Sequence, residues 1–206
     1  GETAEMPGFY AEGEYDVAGF IVGVVDRPRV LDGSRVAAGD VLVGLPSAGL
    51  HTNGYSLARK ILFEALGLRA ADRVEELGDT AGGLLLREHR SYLGILERPV
   101  REGWVSALAH VTGGGLTDNL PRILPPGTAA RIDRGSWEIP PLFRFLGEKG
   151  RVPEAEMFRT FNMGIGMVAV VPASRLRDVE AHLDALGEPH FRIGAIVEGG
   201  GLTVYA

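Results

Sequence analysis

The 206-residue sequence contains no cysteine. That absence excludes a disulfide framework, a thiol nucleophile and any zinc or iron–sulfur centre built on thiolates. Lysine is nearly missing too: of 21 basic residues only Lys60 and Lys149 are lysine, and the rest are arginine. Arginine suits bidentate contacts to anions, although a genome-wide composition bias accounts for the pattern equally well. No run approaches the ~18–20 apolar residues of a membrane span. No basic segment followed by an apolar stretch marks an export signal at the start. A soluble intracellular protein without a membrane partner is expected. Acidic residues outnumber basic ones, giving a net charge of −6 and a pI near 5.4. The overall field therefore repels phosphate backbones and nucleic acid is not an expected partner; a phosphate site has to be built locally from glycine amides, helix ends or a metal.

What is present is apolar material and glycine. Hydrophobic residues make up 45% and charged residues 23%, enough to pack a core and too apolar for a disordered tail. The length fits one large α/β domain, or a domain plus a fragment of another. Glycine reaches 30 residues, against a usual share of about 7%. These glycines gather at 44–54, 113–115 and 164–166, where backbone turns tightly or approaches a ligand.

Periodicity sets out the elements. Tyr15–Val25 is rich in β-formers and predicts a strand over about 16–25. Val41–Leu45 reads as a buried strand, followed after Pro46-Ser47-Ala48-Gly49 by a helical stripe from about 54 to 66. Residues 67–83 read as a surface excursion, and 84–98 fits helix or strand. Val105–Val111 predicts a strand that runs into Thr112-Gly113-Gly114-Gly115, then a short helix stopped by Pro125-Pro126. Further expectations are a strand at 128–132, helices at 141–148 and 154–158, a strand at 167–171, and a helix from Ser174 as cap to about Leu186. Phe191–Val197 and Leu202–Tyr205 read as a closing hairpin around Glu198-Gly199-Gly200-Gly201. Alternation of strands and helices predicts an α/β fold, a mixed sheet covered by helices.

Three segments carry chemistry. Thr112–Gly115 joins a strand to a helix, where free amides and the positive helix end suit an anion; a tight turn for close packing is the plainer reading. His110 beside it either touches the same ligand or is a satisfied core histidine. Ser47–Ser56 packs hydroxyls, an amide and an imidazole at a strand-to-helix junction, with His51 placed to move a proton or to belong to a capping cluster of Thr52, Asn53 and Ser56. Arg159–Gly166 brings a guanidinium and Asn162 before a strand, for an anion or for a surface ion pair. Glu2, Glu5 and Asp16 have the oxygen ligands Mg²⁺ prefers, or are simply solvated.

In order along the chain, Gly1-Glu2-Thr3-Ala4-Glu5-Met6-Pro7-Gly8, Tyr15-Asp16-Val17-Ala18-Gly19-Phe20, His51-Thr52-Asn53-Gly54-Tyr55-Ser56-Leu57, His110-Val111-Thr112-Gly113-Gly114-Gly115 and Arg159–Met167 resemble the aminoimidazole ribonucleotide synthetase family, the phosphoribosylformylglycinamidine cyclo-ligases of purine biosynthesis. The resemblance spans residues 1 to about 171. It implies the C-terminal part of a longer, cytoplasmic, homodimeric enzyme: 1–26 as a loop and strand of the N-terminal ATP-binding domain, through which the dimer forms, and 27–206 as the C-terminal α/β domain. It further implies ATP and Mg²⁺ as cofactors and formylglycinamidine ribonucleotide as substrate. ATP would phosphorylate the formamide oxygen, an amidine nitrogen would attack that carbon, and phosphate would leave. By the same resemblance His51 and Asn53 face the formamide or amidine, Thr112, Gly113, Gly114, Gly115, Arg159 and Asn162 hold the substrate phosphate, and Glu2, Glu5 and Asp16 serve ATP and metal. Without the N-terminal domain, the chain is expected to bind at best and to turn over nothing. Another ATP-dependent member of the superfamily and a non-catalytic binding module are the alternatives.

Overall fold

The computed structural model describes residues 10–206; Glu2 and Glu5 lie outside them. The chain divides into a unit ending at Val30 and a compact unit Leu31–Ala206. In the first, residues 16–25 form no strand, contrary to expectation. Strand propensity is realised only against a partner that completes the hydrogen-bond ladder, and the side chains of Phe20, Ile21 and Val24 are left exposed. A 3₁₀ turn, Arg27–Arg29, closes this unit.

In the second unit, β1 (Val41–Pro46) leads into α1 (Tyr55–Arg59), which continues as a π-turn over Lys60–Ala65. The predicted surface excursion holds more structure than its composition suggests. Its β2 (Arg73–Val74) and β3 (Asp79–Thr80) form a small ribbon, and α2 (Ala81–Leu85), capped by the Thr80 hydroxyl, buries Ala81 and Leu84. The ambiguous stretch after it is helical where it is regular, in α3 (Leu93–Arg101). Then come β4 (Ala107–His110), α4 (Gly115–Asn119), β5 (Thr128–Ile132), α5 (Pro141–Gly150), α6 (Glu154–Thr160), β6 (Ile165–Val171), α7 (Leu176–Ala185), β7 (Phe191–Glu198) and β8 (Thr203–Tyr205). Helix α7 is preceded by a 3₁₀ turn at Ala173–Arg175, and no side chain caps it, so Ser174 does not play the expected part.

Six strands make one sheet in the order β4-β6-β1-β7-β5-β8. Every pairing is antiparallel except β5 with β8. The predicted closing hairpin is therefore absent. Both edges of β7 are occupied, by β1 and β5, so the chain after Glu198 crosses the start of β5 and pairs on its far side. The glycine run makes that crossing, with the amides of Gly199 and Gly201 donating to Gly127 O and Thr128 O. Alternate residues of β1 enter two different cores, which explains why the strand reads as a continuous apolar run. Val43 and Leu45 pack with Ala169, Val171, Ile95, Leu96, Val179 and Leu183 beneath α3 and α7, while Leu42 joins Val168, Val170, Ile193 and Ile196 beneath the other helices.

Gly194 is where β7 bends between its two neighbours. A β-carbon there would collide with the Arg131 carbonyl oxygen of β5, and the pairing of β7 with β1 slips by one residue beside it. Gly194→Ala is expected to lower unfolding free energy by about 2–4 kcal/mol through forced separation of β5 and β7. Urea denaturation curves superimposable on those of the parent protein would refute this.

Candidate functional site

Strand register creates the site. Leu45 at the end of β1 and His110 at the end of β4 both lie opposite Met167 of β6, from its two sides. Both strands run antiparallel to β6 and hence parallel to each other, so the turns 46–54 and 111–115 leave the same end of the sheet at the same height. A register shift between Leu45 and Pro46 re-aims the first of them. The turns meet closely enough that a β-carbon on Gly113 would lie 3.4 Å from Asn53 Oδ1.

The glycine turn is held from behind by Asn119, 3% exposed. Its Oδ1 accepts from Thr112 Oγ1 at 2.9 Å, and its Nδ2 donates to the carbonyls of Thr112, Gly113 and Gly115 at 3.3, 3.2 and 2.8 Å. Gly115 has a φ of 58°, and a β-carbon there would strike the Phe158 carbonyl. Its amide is already bonded to Thr112 O, whereas the amides of Gly113 and Gly114 have no acceptor among the described residues. Gly113 is exposed and Gly114 half-buried. These two N–H groups are what the turn offers an anion, since the Thr112 hydroxyl already donates its one proton to Asn119 Oδ1. Asp118 opposes them, since its carboxylate lies beside Gly114, and Arg159 Nε at 3.4 Å offsets that charge. Arg159 itself stands 65% exposed at the rim.

The other turn is braced by Asn162, which is 1% exposed. Its Oδ1 accepts from Ser47 Oγ at 2.9 Å and Gly164 N at 2.8 Å, while Nδ2 donates to Gly49 O at 2.8 Å. The side chain makes three bonds inside the protein, so it sits behind the site, positioning residues 47–49, instead of facing a phosphate. His51 and Thr52 have φ of 53° and 65°, a left-handed pair without glycine. His51 is 1% exposed. Its Nε2 accepts from the amides of Ala48 at 2.9 Å and Arg90 at 3.4 Å, which assigns the ring proton to Nδ1, a buried atom without a hydrogen-bond partner among the described residues. Burial first, and then the neighbouring His89, His110 and Arg90, lower its pKa to about 4. At neutral pH His51 is therefore an uncharged ring whose basic lone pair is already in use. Asn53 Nδ2 donates to His51 O at 2.9 Å.

His89, which sequence reasoning did not single out, stacks on His51 with ring centroids 4.1 Å apart, and its Nε2 lies 3.1 Å from His110 Nε2. Burial, with His89 adding to it, also lowers the pKa of His110. Nothing local in sequence marks His89. Asn119 was detectable in principle, as a poor helix former four residues after Gly115. Asp16 belongs to the unit ending at Val30 and accepts the Tyr10 hydroxyl at 2.6 Å. Among the described residues the one convergence of three metal-ligating side chains is His51, His89 and His110, a nitrogen set unlike the oxygen cage of Mg²⁺. The described residues thus do not by themselves fit Mg²⁺.

Because the His51 pKa is depressed on folding, its contribution to stability is intact above about pH 6.5 and drains away as pH falls towards 4, where the unfolded chain takes up the proton first, by up to about 3 kcal/mol. Urea unfolding of the parent and of His51→Gln should show a stability difference that shrinks between pH 7 and pH 5. A difference independent of pH would contradict the buried neutral ring.

Comparison with known proteins identifies the family. The family described as AIR synthase related protein, C-terminal domain, matches residues 37–206. Phosphoribosylformylglycinamidine cyclo-ligase of Syntrophotalea carbinolica is 50% identical over 198 residues, covering 96% of this chain and 57% of that protein. The protein of the same name from Geobacillus thermodenitrificans is 48% identical over 203 residues, covering 98% and 59%. The chain thus spans less than two thirds of the length of these relatives. Among solved structures, thiamine-monophosphate kinase from Stenotrophomonas maltophilia superposes with a TM-score of 0.59 at 20% identity, covering 88% of this chain and 54% of that one. A hydrogenase maturation protein HypE in complex with ATP gives 0.57 at 21%, covering 84% and 49%, so these two share the fold. The chain belongs to the AIR synthase related protein family, of which it carries the C-terminal domain.

Proposed function

We propose that this chain is the substrate-holding part of an ATP-dependent cyclo-ligase that closes formylglycinamidine ribonucleotide to aminoimidazole ribonucleotide. The observation that carries the reading is the pair of turns at one end of the sheet: amides at Gly113 and Gly114 that are unbonded among the described residues, beside the amide side chain of Asn53. Backbone donors with Arg159 at the rim suit the anionic end of a ribonucleotide, while Asn53 suits the amide-like reacting end. The names of the half-identical relatives, phosphoribosylformylglycinamidine cyclo-ligases, support the same reading.

In this proposal the amides of Gly113 and Gly114 receive the phosphate, Thr112 holds the turn through Asn119, and Arg159 offsets part of the combined charge of Asp118 and the ligand. Gly115 and Asn162 position the two turns, and His51 supplies a rigid uncharged ring instead of a mobile proton. ATP activates the formamide oxygen, and Mg²⁺ with Glu2, Glu5 and Asp16 belongs to that part of the reaction. Cytoplasmic location and a homodimer formed through the 16–25 segment complete the proposal. Among the described residues no helix is long and apolar enough to cross a membrane.

The test is cyclisation by the enzyme of full family length that carries this chain. Asn53→Ala should lower kcat/KM by about 10²-fold through lost orientation and charge stabilisation, with the fold intact by circular dichroism. Arg159→Ala should raise KM for the ribonucleotide and leave kcat little changed. Parent-like kcat/KM in Asn53→Ala would remove this turn from the reaction.

A further inference from the structure

The pair His89 and His110 answers to no requirement of the proposed ring closure, and its chemistry is that of a different ligand. Nε2 of each ring faces the other at 3.1 Å, and one nitrogen from each of His51, His89 and His110 falls within 4.8 Å of the others. Two imidazole nitrogens on a tetrahedral Zn²⁺, bonded at about 2.0–2.1 Å, stand about 3.4 Å apart. The observed spacing needs only a few tenths of an ångström of opening to admit the ion. His110 is anchored by its register opposite Met167, and His89 is oriented by its stack on His51. Both rings are exposed, so further coordination positions open to solvent.

We propose that His89 and His110 chelate a divalent transition cation of the Zn²⁺, Co²⁺ and Ni²⁺ class at the rim of the strand-end cleft. Among the described residues no carboxylate joins the group, which disfavours Mg²⁺ and Ca²⁺ and selects borderline cations that accept imidazole. His51 is not a ligand, because its Nε2 receives two backbone amide protons; it is the wall that fixes His89. Without metal, one Nε2 carries the proton of the His89–His110 hydrogen bond. On binding, that proton moves to Nδ1 of the same ring, so both Nε2 lone pairs reach the cation and no net proton is released. Nearby positive charge is moderated, since the Arg90 guanidinium is paired with Glu188.

The experiment is Zn²⁺ titration of the 206-residue chain against a chromophoric chelator, with Co²⁺ absorption reporting ligand type. One equivalent should bind, and His89→Ala and His110→Ala should each weaken affinity by about tenfold or more. His182→Ala and His190→Ala, which change the two remaining histidines, should leave it unaltered. Because His89 and His110 are exposed, circular dichroism should confirm folded variants; imidazole nitrogen resonances of the parent, shifting at these two rings on Zn²⁺ addition, provide a readout that needs no variant. Absence of stoichiometric binding, or equal affinity in the parent and the His89→Ala/His110→Ala double variant, would overturn the proposal. Its outcome is independent of whether the chain serves a cyclo-ligase.

Discussion

The position of Met167 between Leu45 and His110 is the constraint on which the site depends. Antiparallel pairing on both sides of β6 forces its two neighbours to run the same way and to end together. Residues some sixty positions apart in the chain are thereby delivered to one cleft, and the central strands, buried on both faces, cannot slip by a residue without turning their apolar side chains into the wrong core. The cleft is consequently as rigid as the sheet that carries it.

Two buried asparagines convert that placement into shape. Asn119 and Asn162 each spend nearly all of their hydrogen-bonding capacity on backbone or hydroxyl groups of the turns they support. A buried amide so satisfied is stabilising, and an unsatisfied one costs about 1–3 kcal/mol. Each turn is therefore locked in one conformation, leaving Gly113 and Gly114 free to face outward. Free amides next to a carboxylate, Asp118, would be a poor anion site on their own; Arg159 alters the balance from the rim.

Much of this was legible in sequence where the signal is local. The strands at 41–46 and 128–132 and the glycine turn at 113–115 announce themselves through apolar runs bounded by turn residues. The parallel placement of β8 was not legible, because a glycine run between two β-rich segments reads as a hairpin and only the occupied edges of β7 forbid it. The run at 16–25 misled for a related reason, as propensity without a ladder partner makes no strand. His51 was legible as a site residue but not its tautomer, which is set by amides at Ala48 and Arg90. His89 meets its partners 38 residues upstream and 21 downstream, with no periodicity to mark it.

The left-handed backbone at His51 and Thr52 sets folding against chemistry. An L-residue in that conformation costs on the order of 1 kcal/mol relative to glycine, so a diglycine version of the bend would relax the chain while erasing the ring on which His89 leans. Yet the same buried ring accepts the amides of Ala48 and Arg90, so emptying the bend would cost more than the relaxed backbone returns, and the imidazole that strains the chain is also what holds it there.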